Sequence, residues 1–249
     1  MEPADAQAGL REDLDLTLFI PCLNEESRVV PTIETVQAAL AELGYSYEIL
    51  VVDDGSTDRT AAVVEEHRQR HPDLPIVLHR NPRNFGLSRS FVDAAFRGRG
   101  RYFRLVCGDN IESRETMTAL LRELGRADII IPYYPVLPGK SRLRRLISGL
   151  FTRIVNFLSG YSLRYYNGCA LYRRFHVMRW ASYNYGFGFQ ADLLTKLLDE
   201  GATYREIPLQ GFHLTKERGS PLNTRNFLST GHTLSEILLR RLRRIVYQN

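Results

Sequence analysis

Four short segments gather the side chains able to bind ions or polar ligands. Val51-Val52-Asp53-Asp54-Gly55-Ser56-Thr57-Asp58 closes an apolar run with two carboxylates, turns on a glycine and opens into helix-capping residue types. Asp53 can stabilise that turn and Ser56 or Thr57 can cap the following helix, which leaves Asp54 to meet a ligand. Phe19-Ile20-Pro21-Cys22-Leu23-Asn24-Glu25-Glu26 also passes from an apolar run into a polar loop, where Asn24 and Glu25 read equally well as turn and cap residues. Asn81 to Gly86 and Cys107 to Ser113 complete the set. His67 and His71 are one helical turn apart, but no glutamate follows His67 as a zinc-protease motif requires, and both are expected at the surface. Cys22, Cys107 and Cys169 are odd in number and lack the paired spacing of structural zinc, which suits a reducing compartment.

The elements that must carry these loops alternate in type. Apolar runs at Leu16 to Ile20, Ile49 to Val52, Ile76 to Leu78, Tyr102 to Val106 and Asp128 to Ile131 read as strands. Between them, Val29 to Leu43, Thr57 to Arg70, Leu87 to Phe96 and Glu115 to Leu124 carry helical patterns. Such Val-, Ile- and Leu-rich strands separated by helices predict a parallel sheet covered on both faces, an α/β fold. Sheets of this kind bind ligands where loops leave the carboxyl ends of the strands, near the point at which strand order reverses. All four polar loops fall at that predicted edge.

Beyond Pro138 the pattern changes. Lys140 to Gly160 interleaves Arg142, Arg144, Arg145 and Arg153 with Leu143, Leu146, Ile147, Leu150, Phe151, Ile154 and Phe157, the pattern of a basic amphipathic helix or helix pair. Phe227 to Tyr247 repeats it, with Arg240, Arg241, Arg243 and Arg244 beside Leu234, Ile237, Leu238, Leu242, Ile245 and Val246. Helices of this composition either lie in a lipid headgroup region or pack on the domain with a solvated charged face. Every long apolar run is broken by arginine, so no bilayer span is expected. Met1 to Asp15 is acidic and lacks a secretory layout. The formal charge of +5 is too small to name a partner by itself. The arginines alternate with apolar residues rather than forming a polar stripe, which excludes nucleic acid as the expected partner.

Ile20-Pro21-Cys22-Leu23-Asn24-Glu25-Glu26, followed by Glu48-Ile49-Leu50-Val51-Val52-Asp53-Asp54-Gly55-Ser56-Thr57-Asp58, resembles the opening of the family-2 glycosyltransferases of GT-A fold. The resemblance extends over most of the chain and implies a mostly parallel sheet flanked by helices. It implies that Pro21, Asn24, Glu25 and Asp54 hold the nucleotide of a nucleoside-diphosphate sugar. Asn84-Phe85-Gly86 with Ser88 looks like the family's next loop, where small residues admit the donor to the backbone. After the fourth strand the family places an Asp-x-Asp triplet whose carboxylates hold a divalent cation against the donor's diphosphate. Here Cys107-Gly108-Asp109 stands in that place, with a cysteine for the first acid. By the resemblance Asp109 is the metal ligand, for Mg²⁺ or Mn²⁺, and Gly108 lines the donor site. Asn110 and Glu112 are candidates to assist, and a glycine-aspartate turn without an ion is the alternative. The Gly-Asp-Asn form together with Tyr165-Tyr166-Asn167-Gly168 resembles a subset of the family.

Gly186-Phe187-Gly188-Phe189-Gln190-Ala191-Asp192 and the strand Tyr204 to Pro208 are similar to the family's second half, which makes Asp192 the candidate general base or else a helix cap. Phe187 and Phe189 are the aromatics expected to line the pocket. Lys216-Glu217-Arg218-Gly219-Ser220 looks like a variant of the basic loop of relatives that act on polyprenyl phosphates. Lys216, Arg218 and Ser220 would meet phosphate there, Arg218 with a catalytic part in balancing the leaving charge. Arg142 and Arg145 fall where such relatives have interface helices.

The expected organisation is a lead-in over 1–13, a glycosyltransferase domain over 14–212 with interface helices at 139–160, and a basic loop and helix over 213–249. The resemblance implies sugar transfer to a polyprenyl phosphate by a protein peripheral on the cytoplasmic face of a membrane, with oligomers possible. The rival readings are a transferase for a soluble acceptor and a degenerate nucleotide-binding module, the latter suggested by Cys107.

Overall fold

A computed structural model describes residues 13–135, 142–180, 186, 188–210 and 224–247. The first half alternates strand and helix as the apolar pattern requires: β1 (Leu14–Cys22), α1 (Val29–Leu40), β2 (Tyr47–Asp53), α2 (Thr60–Arg70), β3 (Ile76–Arg80), α3 (Leu87–Arg97), β4 (Gly100–Leu105), α4 (Arg114–Leu121) and β5 (Ile129–Tyr133). There follow α5 (Arg142–Ser159), β6 (Leu171–Arg173), α6 (Arg174–Arg179), α7 (Phe189–Asp199), β7 (Tyr204–Pro208) and α8 (Thr224–Tyr247).

The strands form one sheet in the order β3-β2-β1-β4-β6-β5-β7. β2 and β4 run parallel to β1 on either side, β3 parallel to β2, and β7 parallel to β5. The short β6 runs antiparallel to both β4 and β5. The chain steps outward from β1 to β3 and then returns to β4 on the other flank of β1. Strand order therefore reverses between β1 and β4, and that crevice is where the fold offers a ligand site.

Side chains alternate across each strand and so feed two core layers. Leu16, Leu18 and Ile20 of β1 pack with Ile33, Val36, Val64, Met117 and Leu120, under α1, α2 and α4. Phe19 faces the other way, among Phe91, Phe103, Val155, Phe189, Leu194 and Ile237, under α3, α5, α7 and α8. Burial on both faces is why these strands lack the polar alternation of a half-exposed sheet.

Of the two forms left open for Lys140 to Gly160, the described residues carry the single helix, α5. Several other expectations are corrected. α2 starts at Thr60, with neither Ser56 nor Thr57 as its N-cap. β6 and α6 have no counterpart in the sequence reading. His67 is buried at 3% exposure with its ring 4.6 Å from that of His71, not a surface residue. No helix among the described residues is long and apolar enough to cross a membrane.

Candidate active site

The carboxyl ends of β1, β2 and β4 and the start of α3 enclose an open pocket of about 310 Å³. Pro21, Glu25, Asp54, Asn84, Gly86, Gly108 and Asp109 line it together with Cys22, Leu23, Leu87, Ser90, Leu105 and Cys107. Every donor-site candidate except Asn24 is thus in one place.

The loops are tied to one another by side-chain bonds to backbone. Asn24, with φ of 57°, donates its N–H to Ser56 Oγ at 2.9 Å, and its Oδ1 accepts from Thr57 N–H at 2.9 Å. It is a staple between the first two loops rather than a wall of the pocket. Glu25 N–H donates to Thr60 Oγ1 at 2.8 Å, which fixes the backbone of a residue that does line it. Asp53 accepts from Ser56 N–H at 2.9 Å, the turn-stabilising role expected of it. Gly55, at φ of +81°, lets the second loop meet the third: a Cβ there would lie 2.6 Å from the carbonyl carbon of Arg83.

The Asp54 carboxylate, in the pocket lining where ligand contact is expected of it, also organises the third loop. Oδ1 accepts from Asn81 Nδ2 at 2.7 Å, Phe85 N–H at 3.0 Å and Ser90 Oγ at 3.2 Å, while Oδ2 accepts from Gly86 N–H at 2.9 Å. Its part in the site is to hold Asn84 and Gly86 in the pocket wall. Asn81 and Ser90 support the site in a way the sequence does not announce. The one signal for Ser90 is its place a turn after Gly86, the residue that precedes α3.

The fourth loop presents Asp109. Gly108 lies under the first loop, where a Cβ would stand 2.8 Å from the carbonyl oxygen of Pro21. Asp109 is half-buried and its Oδ1 is buried without a hydrogen-bond partner. Burial raises its carboxyl above the usual range; backbone N–H bonds from Asp109 and Ile111 and the charge of Arg28 oppose the rise, and Glu112 adds a little to it. A buried carboxylate oxygen left unbonded is costly and is relieved by a cation. Among the described residues no group of three or more His, Cys, Asp or Glu is placed to hold a metal by itself. An ion whose other ligands are donor oxygens needs few from the protein, and Asp109 is the residue that could supply one here to Mg²⁺ or Mn²⁺. Of the two candidates to assist, Asn110 Oδ1 lies 3.1 Å from Thr35 Oγ1, whose single proton is shared with the Pro31 carbonyl at 2.9 Å, and Glu112 is held by Arg104. Cys107 Sγ stands 3.9 Å from Cys169 Sγ, both as free thiols, where the missing first acid would be.

Asp192 is displaced from its expected role. Its side chain is fully enclosed, 2.8 Å from Lys196 Nζ and 2.5 Å from Arg240 Nη1. Burial pushes its carboxyl up, and the two cations more than offset that, holding it below the usual range. A low, enclosed carboxylate makes a poor base. Nor does it cap α7, whose N-cap is Gly188. Phe189 is core, 3% exposed and 5.3 Å from Phe91 ring to ring, not a pocket residue. Phe187, Lys216, Arg218 and Ser220 lie outside the described residues.

Arg142 and Arg145 are exposed on α5, away from the pocket lining. α5 also exposes Leu143, Leu146, Leu150 and Phe157, and α8 exposes Leu239, Leu242, Ile245, Val246 and Tyr247. The arginines of α8 are not all solvated, as a uniformly basic face requires. Arg240 binds Asp192 and Thr195, Arg241 donates to the Phe157 carbonyl, and Arg244 binds Asp199 and Tyr161. They anchor α8 to α7 and to α5 and the residues after it.

Residues 17–180 match Glycosyl transferase family 2. The chain belongs to this family. Among curated relatives it is 28% identical over 173 residues to the dodecaprenyl-phosphate galacturonate synthase of Rhizobium johnstonii, covering 69% of this chain and 51% of that protein. It is 27% identical over 161 residues to the undecaprenyl-phosphate 4-deoxy-4-formamido-L-arabinose transferase of Pseudomonas aeruginosa, covering 64% and 47%. The chain thus spans about half the length of the curated relatives it matches. Glucosyl-3-phosphoglycerate synthase of Mycobacterium tuberculosis, solved with Mn²⁺, UDP and phosphoglyceric acid, superposes with a TM-score of 0.66 at 19% identity, covering 94% of this chain and 80% of that one. The mannosyltransferase PcManGT of Pyrobaculum calidifontis, solved with GDP-Man and Mn²⁺, gives 0.58 at 16% identity, covering 82% and 60%. The family-2 fold is accordingly GT-A, with the seven-stranded sheet described above.

Proposed function

We propose that this chain transfers a sugar from a nucleoside-diphosphate sugar to a polyprenyl phosphate, working from the cytoplasmic face of a membrane. The observation that carries the reading is the buried, unbonded oxygen of Asp109 in a pocket that the loops after β1, β2, β3 and β4 enclose together. Its neighbours are suited to a diphosphate: Asn84, Gly86 and Gly108 bring small or polar groups to the wall. A divalent cation on Asp109 would neutralise the charge that gathers on the departing diphosphate. The acceptor's phosphate oxygen would attack the anomeric carbon as the bond to the diphosphate breaks, the electron pair leaving with the nucleotide.

A phosphate monoester has its second pKa near ~6, so it arrives largely ionised at neutral pH. Such an acceptor needs no base, which suits a site whose expected base, Asp192, is enclosed by Lys196 and Arg240. A hydroxyl acceptor would need one. Lys216, Arg218 and Ser220 remain the residues proposed to meet phosphate, and Arg142 and Arg145 to meet the leaflet. The relatives named for lipid-phosphate acceptors support the same choice. Exposed apolar side chains on α5 and α8, with Arg142, Arg145, Arg153 and Arg243 exposed around them, are composed for the headgroup region of an anionic leaflet.

Thermal shift with UDP-, GDP- and dTDP-sugars and Mn²⁺ tests the donor half, since a ligand that binds the native state raises its Tm. Transfer of a labelled sugar from the donor so found to undecaprenyl or dolichyl phosphate tests the acceptor half. Persistence of the full metal-dependent shift in Asp109→Ala would remove Asp109 from the site.

A further inference from the structure

β4 carries a charge into the core. Arg104 is fully buried, with Phe103 and Leu105 beside it in the strand. Its Nη2 donates to both carboxylate oxygens of Glu112, each at 2.7 Å, and its Nε donates to the carbonyl of Cys169 at 3.2 Å. Burying such a pair strips both ions of their hydration, and volume-matched apolar replacements are often as stable or more stable. Stability alone therefore does not account for a guanidinium at this place.

What the pair reaches is the loop that carries Asp109. That loop is pinned at Gly108 beneath Pro21, at Asn110 by Thr35, and at Ser113, which caps α4 by accepting from Thr116 N–H. Glu112 is a further anchor among the described residues, and Arg104 holds its carboxylate. Asp109 stands between these anchors with Oδ1 unbonded in the pocket. Through the Cys169 carbonyl the same guanidinium holds the segment whose thiol meets Cys107, so one buried side chain braces both the loop and the backing behind it.

We propose that Arg104 and Glu112 are positioning residues whose buried pair fixes where Asp109 stands, and thereby sets the affinity for the divalent cation and the donor diphosphate. The proposal deepens the donor reading above and rests on it. A small displacement of a metal-binding carboxylate is enough to lower affinity, because outer contacts orient the ligands that touch the ion and their loss typically costs about 10- to 100-fold.

The test compares the wild-type chain with Arg104→Met/Glu112→Leu, a near volume-matched apolar pair, and with Arg104→Lys, which keeps the charge but loses the two-sided grip. Free Mn²⁺ is titrated by electron paramagnetic resonance in the presence of UDP or GDP, and Tm is measured without metal. The expected result is a Tm at or above wild type for the double variant, with half-saturating Mn²⁺ at least tenfold higher and the donor KM raised far more than kcat falls at saturating Mn²⁺. Arg104→Lys is expected to fold and to bind Mn²⁺ with intermediate affinity, and it decides the matter if the double variant does not fold. Wild-type Mn²⁺ affinity in either folded variant would overturn the proposal alone. Absence of nucleotide-dependent Mn²⁺ binding in the wild-type chain would instead remove the donor reading, and the proposal with it.

Discussion

At the scale of single residues, the pocket depends on acids that do different work within one crevice. Asp54 accepts from four groups on the third loop and α3, so Asp54→Ala should leave buried donors unpaired and cost about 2 kcal/mol or more. Urea unfolding of that variant should show the loss, and donor affinity should fall with it, whereas Ser90→Ala should cost only about 1 kcal/mol. Cys107→Asp tests the departure from the paired-acid motif. A second carboxylate beside the desolvated Asp109 should destabilise the metal-free protein, on the order of 2 kcal/mol, and Mn²⁺ should restore the loss in calorimetry. The sequence located these residues better than it described their work. Asp54 could be placed at a strand end from the apolar run before it, yet its partners lie 27 to 36 positions away, and no local pattern announces them. Asn24 misled for the same reason: its staple to Thr57 is made across two loops.

At the scale of elements, α8 is held by charge as well as by apolar packing. Asp192 on α7 faces Lys196 and Arg240, with Thr195 beside them, and Asp199, two turns further along α7, takes Arg244, one turn further along α8. Removing one partner of an enclosed pair costs about 3 kcal/mol or more. Asp192→Ala should therefore lower stability by that order while leaving kcat/KM within severalfold of wild type; a general base would instead lose about 10²- to 10⁴-fold. Because its folded carboxyl is held below the ordinary range, Asp192 contributes stability that is present above its unfolded pKa and lost as pH falls through the lower folded value. The Tm curves of wild type and Asp192→Asn should converge on acidification below that range. The elements legible in the sequence are those with enough residues to show a period. β1, β2, β5 and α3 stood out as apolar runs or a helical stripe, whereas β6, with Leu171, Tyr172 and Arg173 alone, is too short to alternate visibly. α5 and α8 were legible as amphipathic helices, but nothing local distinguishes Arg240 or Arg244, drawn inward by acids of α7, from the exposed Arg243.

At the scale of the whole molecule, the pocket opens at the carboxyl edge of the sheet while α5 and α8 present apolar and basic side chains of their own. On an anionic leaflet each exposed arginine contributes about 1 kcal/mol, so Arg142→Ala with Arg145→Ala should weaken binding to phosphatidylserine-containing vesicles by roughly thirtyfold. The difference should shrink at high salt, as screening shortens the reach of exposed charges. Flotation unaffected by either change would remove the leaflet from the proposal. Among the described residues, the parallel strands β3, β2, β1 and β4 on one side and β5 with β7 on the other are joined in the backbone ladder by β6, whose register takes in no more than Leu171 to Arg173. The backbone ladder is narrowest there, while both core layers run across it. Amide exchange within β6 should run ahead of that in β1 and β2, and a pulling force applied across β6 should part the sheet there first.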